Sequence, residues 1–446
     1  METYEILLVP IYIAFLTAIA STLKKKASFK DQENYFYLAL LTKFFFAIMA
    51  GLIYKYVYLG GDTYNFYQIA QVYYKCFTNE PKLLWEMFMY EGGNQAIPKS
   101  IDHYNIYFYS WYRAETSAFF TSKIAGFFNL FSFNSYFICS LFFALIAFWG
   151  NWHLYLAISS YYPKLSKTLA FIIMLMPSVC FWSSGIFKDT ITFACVGYLT
   201  YFMDTFFIRK KRTLLDIITA LVCIYFLNII KAYVLVCVAG ASLFWYSYNL
   251  RKNVKSAFLK NALTPILLFV IVFALFQVLN VIGENQKKYS VENMFNTIET
   301  SQKWHAHVSQ EGKSYSLGAY DQSFLGLLAI MPEAIFVAIF RPFIWESGLG
   351  LMLLSAIENL FISYLVIQLA LRNFRAFFRI ISRDPILLYC VIFTLTLAFM
   401  VGVSSYNFGA LTRYRVSFVP LLLSAIIIAR KNISAMDILE ENPSNK

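Results

Sequence analysis

The feature of this sequence that most restricts its fold is a series of long, almost uncharged hydrophobic segments. Many of them are about 20 residues long, which is the length that an α-helix needs to cross the hydrocarbon core of a bilayer. The segments are uninterrupted and lack strict alternation of apolar and polar residues, so they indicate helices rather than the strands of a membrane barrel. The chain is 59% hydrophobic and 14% charged, and a soluble globular protein does not need so much apolar surface. The sequence therefore predicts an all-α polytopic integral membrane protein.

Short clusters of lysine and arginine separate the hydrophobic segments and indicate how the chain crosses the membrane. Such clusters favour the cytoplasmic side. The first cluster lies at Lys24–Lys26 and the last at Arg430–Lys431. With the clusters on the cytoplasmic side, the sequence predicts about eleven spans in one transmembrane domain of residues 1–446, with the N-terminus outside and the C-terminus in the cytoplasm. The predicted spans are roughly residues 6–23, 37–58, 135–156, 169–182, 190–207, 214–230, 232–248, 263–282, 349–371, 386–403 and 416–429.

Two longer segments, residues 59–134 and 283–348, interrupt this pattern, and the predicted orientation places both outside. The first contains an amphipathic stretch at Phe119–Phe133, and the second contains an apolar stretch at Phe324–Phe340 that includes Pro332 and Glu333. These stretches predict interfacial or re-entrant helices rather than spans. Non-helical backbone at membrane depth is tolerated where it is surrounded by protein or lines a cavity. We therefore expect the functional site in these two outer segments.

A group of basic residues does not follow the charge rule, because the predicted topology places them at the outer ends of spans. A charge at membrane depth is costly and by default marks a functional site. Guanidinium groups bind phosphate bidentately, and an ammonium group binds it as a point charge. The pattern therefore predicts a site for a phosphate-bearing ligand. The residues are Lys188, Lys231, Arg341, Arg413 and Arg415, with Tyr414 between the two arginines that precede the last span.

Each of these basic residues also has a simpler explanation that requires no ligand. The alternatives are a Lys188–Asp189 contact in a turn, extension of Lys231 to the interface, an Arg341–Glu346 ion pair, and anchoring of Arg413, Tyr414 and Arg415 among lipid head groups. The residues alone do not decide between the two explanations.

A second motif begins the first outer segment, where Gly60 and Gly61 precede Asp62. Glycine permits close approach of the backbone to a ligand, and an acid at this place is a candidate general base. Tyr64 and Tyr67 follow, and their rings are candidates for stacking on sugars. The alternative is that Asp62 caps a helix that begins at the next residue.

The sequence contains no motif of a metal site, an ATPase or an ordinary hydrolase. His305 and His307 lie close together, but a loop pair explains them better than a metal site does. We therefore expect no cofactor and no metal, although a divalent cation at Asp62 stays open. The net charge of +12 comes largely from the loop clusters, so it indicates membrane topology rather than nucleic acid binding.

Taken together, the motif around Gly61, Asp62 and Tyr67, the basic residues at span ends, the Arg341–Phe343 motif and the Arg413–Arg415 motif resemble a known group. This group is the membrane-embedded polysaccharide polymerases and glycosyltransferases of bacteria, the Wzy/EpsG-like group within the broad GT-C class. The resemblance implies an inner-membrane enzyme that uses polyprenyl-pyrophosphate-linked sugars at its outer face. It also implies that its partners are membrane lipid, the lipid-linked glycan and other membrane proteins of glycan assembly.

By this resemblance, Asp62 would be the catalytic base. The residues that would bind substrate are Lys188, Lys231, Arg341, Arg413, Arg415, Tyr64, Tyr67 and Tyr414. Arg341 is followed by glycines at 348 and 350, which is closer than in the polymerase loops of the group. The sequence therefore leaves open whether the reaction is polymerisation or a single transfer.

Two functions of other classes also fit the sequence. A transporter or flippase for a glycolipid predicts charges within the spans and internal repeats, and the sequence shows neither clearly. A non-catalytic membrane subunit with a basic outer patch requires only the charges. The sequence does not exclude this second alternative.

Overall fold

The computed structural model describes residues 3–24, 30–93, 110–252, 314–318, 323–348 and 350–441, with isolated positions between 254 and 321. Secondary structure in these residues is helical, apart from one isolated backbone bridge between Ser314 and Asn407. Within these residues, seven helices are long and apolar enough to cross a membrane, and a bent helix pair is an eighth candidate. They support a polytopic membrane protein. The predicted span at 263–282 and parts of both outer segments lie outside the described residues.

The helices are numbered here in chain order. The first eleven are α1 (Thr3–Thr22), α2 (Lys30–Glu33), α3 (Phe36–Tyr56), α4 (Asp62–Asn79), α5 (Pro81–Met89), α6 (Ser110–Ala114), α7 (Thr116–Asn129), α8 (Tyr136–Ser159), α9 (Ser166–Ala170), α10 (Pro177–Trp182) and α11 (Lys188–Phe202). The remaining six are α12 (Leu214–Lys252), α13 (Phe324–Phe340), α14 (Leu351–Arg383), α15 (Pro385–Ser405), α16 (Phe408–Tyr414) and α17 (Val419–Glu441).

The chain forms two compact units. Unit 1 comprises Met1–Tyr201 with Leu215–Lys231, and unit 2 comprises Phe202–Leu214 with Ala232–Lys446. The boundary at Lys231 coincides with a break in α12, where this residue is non-helical with φ −149° and ψ 74°. The sequence predicted that two spans meet at this residue, and helical residues do lie on both sides of it.

In unit 1, glycines allow helix backbones to approach one another closely. A Cβ atom on Gly150 of α8 would lie 2.2 Å from the carbonyl oxygen of Ala194 in α11, and one on Gly197 would lie 2.3 Å from the carbonyl oxygen of Gly150. Helices in membranes commonly associate through such small residues, because the close approach increases van der Waals contact. These contacts fix α11, whose first residues are part of the predicted site.

The amphipathic stretch predicted at Phe119–Phe133 corresponds to α7, which packs against α4. Gly126 lies directly on the ring of Tyr73, since a Cβ atom there would be 2.4 Å from the ring. Nearby in the sequence, Phe127 and Phe131 are about half exposed, at 50% and 54%. This region therefore packs part of its apolar surface on protein and leaves another part exposed.

The predicted fourth span, residues 169–182, is not one continuous helix. After α9, the chain forms a wide π-helical turn at Phe171–Leu175 and then becomes extended at Met176, with φ −62° and ψ 126°. Pro177 explains the break, because proline disfavours the helical conformation of the residue before it and is well suited to begin the next helix. The two pieces, α9 and α10, are each too short to span a bilayer.

In unit 2, α13 packs against α15 with similar closeness. A Cβ atom on Gly402 would lie 2.2 Å from the carbonyl oxygen of Ala334. The sequence predicted an interruption at Pro332, but α13 continues through this residue for 17 residues in all. At about 1.5 Å per residue this helix is shorter than the roughly 30 Å thickness of a hydrocarbon core.

We expect Gly150→Val to destabilise unit 1 by about 1–3 kcal/mol, because overpacking a tight interior costs that much. The added atoms would meet backbone, so no side-chain rotation can relieve the clash. The midpoint of thermal unfolding of the purified protein in detergent measures the effect. Ile218→Val, at a position that is 50% exposed, is the control. Equal midpoints for the two variants would contradict the close helix approach.

Candidate functional site

In unit 1, the predicted residue Lys188 and its neighbour Asp189 begin α11 and pair with different elements. Lys188 Nζ donates to Glu115 Oε2 and to Ser117 Oγ, both at 2.9 Å. Lys231 Nζ donates to Asp189 Oδ1 at 2.5 Å. Adjacent residues of a helix do not face each other, so one helix start holds two ion pairs in different directions. The structure thus connects Lys188 and Lys231 through this helix start.

The two ion pairs differ in burial. The side chains of Lys231 and Asp189 are only 9% and 3% exposed, whereas those of Lys188 and Glu115 are 16% and 30% exposed. Removing one partner of a buried pair is strongly destabilising, because it leaves a charge without its counter-charge. The Lys231–Asp189 pair therefore holds the non-helical break of α12 against the start of α11.

Asp62, the predicted catalytic base, is the first residue of α4. Gly61 occupies the capping position with φ +110°, a conformation that glycine adopts without strain. The capping residue is therefore Gly61 rather than Asp62, and the helix begins one residue earlier than the alternative assumed. Asp62 Oδ1 accepts a 2.6 Å hydrogen bond from Tyr112 Oη, and the residue is half-buried. Its catalytic role stays a prediction.

Tyr64 and Tyr67, the predicted sugar-stacking residues, pack against protein. The Tyr64 ring stacks on Tyr136 with centroids 4.3 Å apart. The Tyr67 hydroxyl donates to the carbonyl oxygen of Asn134 at 2.5 Å. Burial, the largest influence on both, raises the pKa of Tyr64 and of Tyr67, so both hydroxyls stay neutral donors. These contacts position α4 and its first residue, Asp62.

Lys43 is a buried charged residue that the sequence reasoning missed. It lies within α3 and is 1% exposed. Its Nζ donates to Ser183 Oγ at 2.5 Å, and with the Asn151 amide oriented to donate to Ala147, the Asn151 oxygen lies 3.0 Å from Nζ. Among the described residues, no carboxylate lies within ion-pair distance of Lys43. A lysine in the middle of a 21-residue apolar helix was the signal that could have identified it.

In unit 2, Arg341 immediately follows α13 and forms the Glu346 ion pair that the sequence offered as an alternative. Its Nε donates to Glu346 Oε1 and Oε2 at 3.0 and 3.1 Å, and its Nη2 also donates to Oε1. The guanidinium carbon lies 5.0 Å from the Phe408 ring centre and 5.9 Å from that of Tyr315. The carboxylate and the rings together hold the guanidinium in one orientation.

Arg415 follows α16 and is only 4% exposed. Its Nη2 donates to the carbonyl oxygen of Ile339 at 3.1 Å, and its Nη1 lies 3.4 Å from the carbonyl oxygen of Arg341. The structure thus brings Arg341 and Arg415 together. Arg413 and Tyr414 end α16 and are half-buried. Their substrate-binding roles stay predictions.

The rest of the described chain adds no metal centre to these contacts. No group of three or more His, Cys, Asp or Glu side chains in those residues could hold a metal ion. His305 and His307 lie outside the described residues. Comparison of the chain with protein-family models, curated proteins and solved structures finds no match. The local geometry therefore carries the functional argument.

Asp189→Asn should destabilise the protein by about 3–5 kcal/mol, because it removes the carboxylate charge beside the buried Lys231 ammonium. Asp189→Leu combined with Lys231→Met should recover most of this loss, since an apolar pair needs no counter-charge. Glu115→Gln in the more exposed pair should cost about 1 kcal/mol or less. Thermal unfolding in detergent compares the variants. A double variant as unstable as Asp189→Asn would show that the charges themselves are required.

The contribution of Glu346 to stability should depend on pH. Burial is the largest influence on its pKa and raises it, but the Arg341 hydrogen bonds, the Phe343 N–H and the Arg341 charge outweigh burial, so the net pKa is lowered. A carboxylate with a lowered native pKa stabilises the fold above its ordinary pKa of about 4.3. This stabilisation is lost as the pH falls through the lowered native value.

The difference in unfolding midpoint between wild type and Glu346→Gln should therefore be largest near neutral pH and become smaller at acidic pH. Thermal unfolding over a pH series measures it. A difference that does not change with pH would contradict the ionised Arg341–Glu346 pair.

Proposed function

We propose that this chain is a membrane-embedded glycosyltransferase or polysaccharide polymerase that acts on polyprenyl-pyrophosphate-linked sugars. The observation that carries the proposal is the way in which the Arg341 guanidinium is held. One edge of its guanidinium, at Nε and Nη2, is held by Glu346. Among the described residues, none accepts a hydrogen bond from Nη1, and the side chain is 23% exposed. An oriented guanidinium with one open edge is suited to bidentate binding of a phosphate group.

The proposed reaction uses this cation to stabilise the leaving group. An acceptor hydroxyl oxygen forms a bond to the anomeric carbon of the donor sugar, and the bond from that carbon to the pyrophosphate oxygen breaks. The acceptor proton passes to a general base. Negative charge develops on the departing polyprenyl pyrophosphate, where a preoriented guanidinium is most effective.

The apolar helices support a multi-pass membrane location for this reaction. The bacterial inner membrane, the outer position of the site and the orientation of the two termini belong to the proposal. They are supported by the distribution of lysine and arginine along the chain.

A second candidate is a transporter or flippase for the same class of glycolipid. The specific observation in its favour is interrupted helices, which transporters use to line binding sites. Helix is interrupted at Met176 in unit 1. In unit 2, Phe408–Ser417 and Val419–Ile433 meet at a bend of 60°.

We expect Arg341→Ala to lower turnover about 100-fold or more. Removal of one hydrogen-bond donor that stabilises developing negative charge has an effect of this size in other enzymes. Arg341→Lys should also be impaired, because an ammonium cannot bind phosphate bidentately. The measurement is mass spectrometry of lipid-linked glycans in cells that carry each variant as their only copy. Abundance of each variant in the membrane is measured in parallel.

Lys211→Ala is the matched control, because Lys211 is exposed and cationic. Arg209 is unsuitable because it pairs with the buried Asp204 at 2.8 Å. Lipid-linked glycan that accumulates on the outer leaflet supports the enzyme, and accumulation on the inner leaflet supports the flippase. Normal glycan in cells with abundant Arg341→Ala would overturn the proposal and favour a non-catalytic membrane subunit.

A further inference from the structure

We infer that Arg415 and Asn359 are positioning residues that act through Arg341, by holding the backbone turn from which its side chain extends. This gives Arg415 a role different from the phosphate contact that the sequence predicts. The ligand-dependent part of the inference rests on the proposed function. The part that concerns the backbone turn does not.

The first support is the end of α13. The last carbonyl groups of a helix have no partner within the helix, and Arg341 leaves the helix in an extended conformation with φ −98° and ψ 157°. Arg415 donates to the carbonyl oxygens of Ile339 and Arg341 at this point. A cation there also interacts favourably with the negative end of the helix dipole.

The second support is that the turn is held at further points by other side chains. Asn359 of α14, which is 1% exposed, donates from Nδ2 to the carbonyl oxygen of Pro342 at 3.0 Å. Glu346 Oε2 accepts from the backbone N–H of Phe343 at 2.9 Å. Side chains from three parts of unit 2 therefore fix the backbone groups of four residues in the span 339–343.

The third support is the difference in access between the two arginines. Arg415 is 4% exposed, and its guanidinium is directed at backbone carbonyls. The Arg341 side chain is 23% exposed. A ligand can thus reach Arg341, whereas Arg415 lies behind the turn. A small displacement of a binding group can lower activity considerably, so loss of Arg415 should act by displacing Arg341.

A double-mutant cycle separates positioning from direct contact, with undecaprenyl pyrophosphate in lipid nanodiscs as the binding probe. Arg415→Ala and Asn359→Ala should each weaken binding about tenfold in the wild-type background. Neither should weaken it further in an Arg341→Ala background, because residues that act through one group are not additive. Arg415→Lys should behave like Arg415→Ala, since an ammonium lacks the planar fork that reaches both carbonyls. Lys431→Ala, an exposed charge later in α17, should leave binding unchanged.

Hydrogen–deuterium exchange provides a readout that needs no ligand. The amides of Arg341 and Phe343, which are bonded to Val337 and Glu346, should exchange faster in Arg415→Ala and in Asn359→Ala. Thermal unfolding confirms that each variant is folded. If Arg415→Ala does not fold, Asn359→Ala and Arg415→Lys still test the inference.

Equal losses of probe binding with and without Arg341 would show that Arg415 contacts the ligand itself, and would overturn the inference. Unchanged amide exchange would overturn it as well. A wild-type protein that does not bind the probe would instead overturn the proposed function, and exchange alone would then decide the positioning role.

Discussion

The cost of burying charge in an apolar environment determines much of the structure near the candidate site. A buried ammonium or guanidinium requires a carboxylate or several hydrogen-bond acceptors nearby. Lys231 meets this requirement with Asp189, and Arg341 meets it with Glu346. The Lys231–Asp189 pair joins residues that are far apart in sequence, whereas Arg341 and Glu346 are only 5 residues apart. The first holds the break in α12, and the second closes the turn after α13.

Lys43 and Arg415 meet the same requirement with neutral groups. Lys43 donates to a hydroxyl and to an amide oxygen, and Arg415 donates to backbone carbonyls. Neutral acceptors stabilise a cation less than a carboxylate does, but they also hold it in place without cancelling its charge. The positive charge of Arg415 therefore persists beside Arg341, where the proposed function requires an anionic ligand.

Close helix approach provides the rigid support for these charges. Gly150 and Gly197 bring α8 against α11, whose first turn carries the Lys188–Glu115 and Lys231–Asp189 pairs. Gly402 brings α15 against α13, which ends at Arg341. Sites are held more accurately when they lie at the ends of tightly packed helices than on isolated loops. The small residues of the helix interfaces thus contribute to the site without touching it.

The sequence by itself determined the helical membrane class and the first residues of most candidate spanning helices within a few residues, because continuous apolar runs and flanking lysines are local signals. It also offered the Arg341–Glu346 ion pair as an alternative to a phosphate contact, since the two residues are near in sequence. The continuity of α13 through Pro332 and the burial of Lys43 were decided by tertiary structure. So was the pairing of Lys231 with Asp189, which are 42 residues apart. Local patterns show where a charge lies along a helix, but its partner depends on which helices pack together, and that is decided only when the whole unit forms.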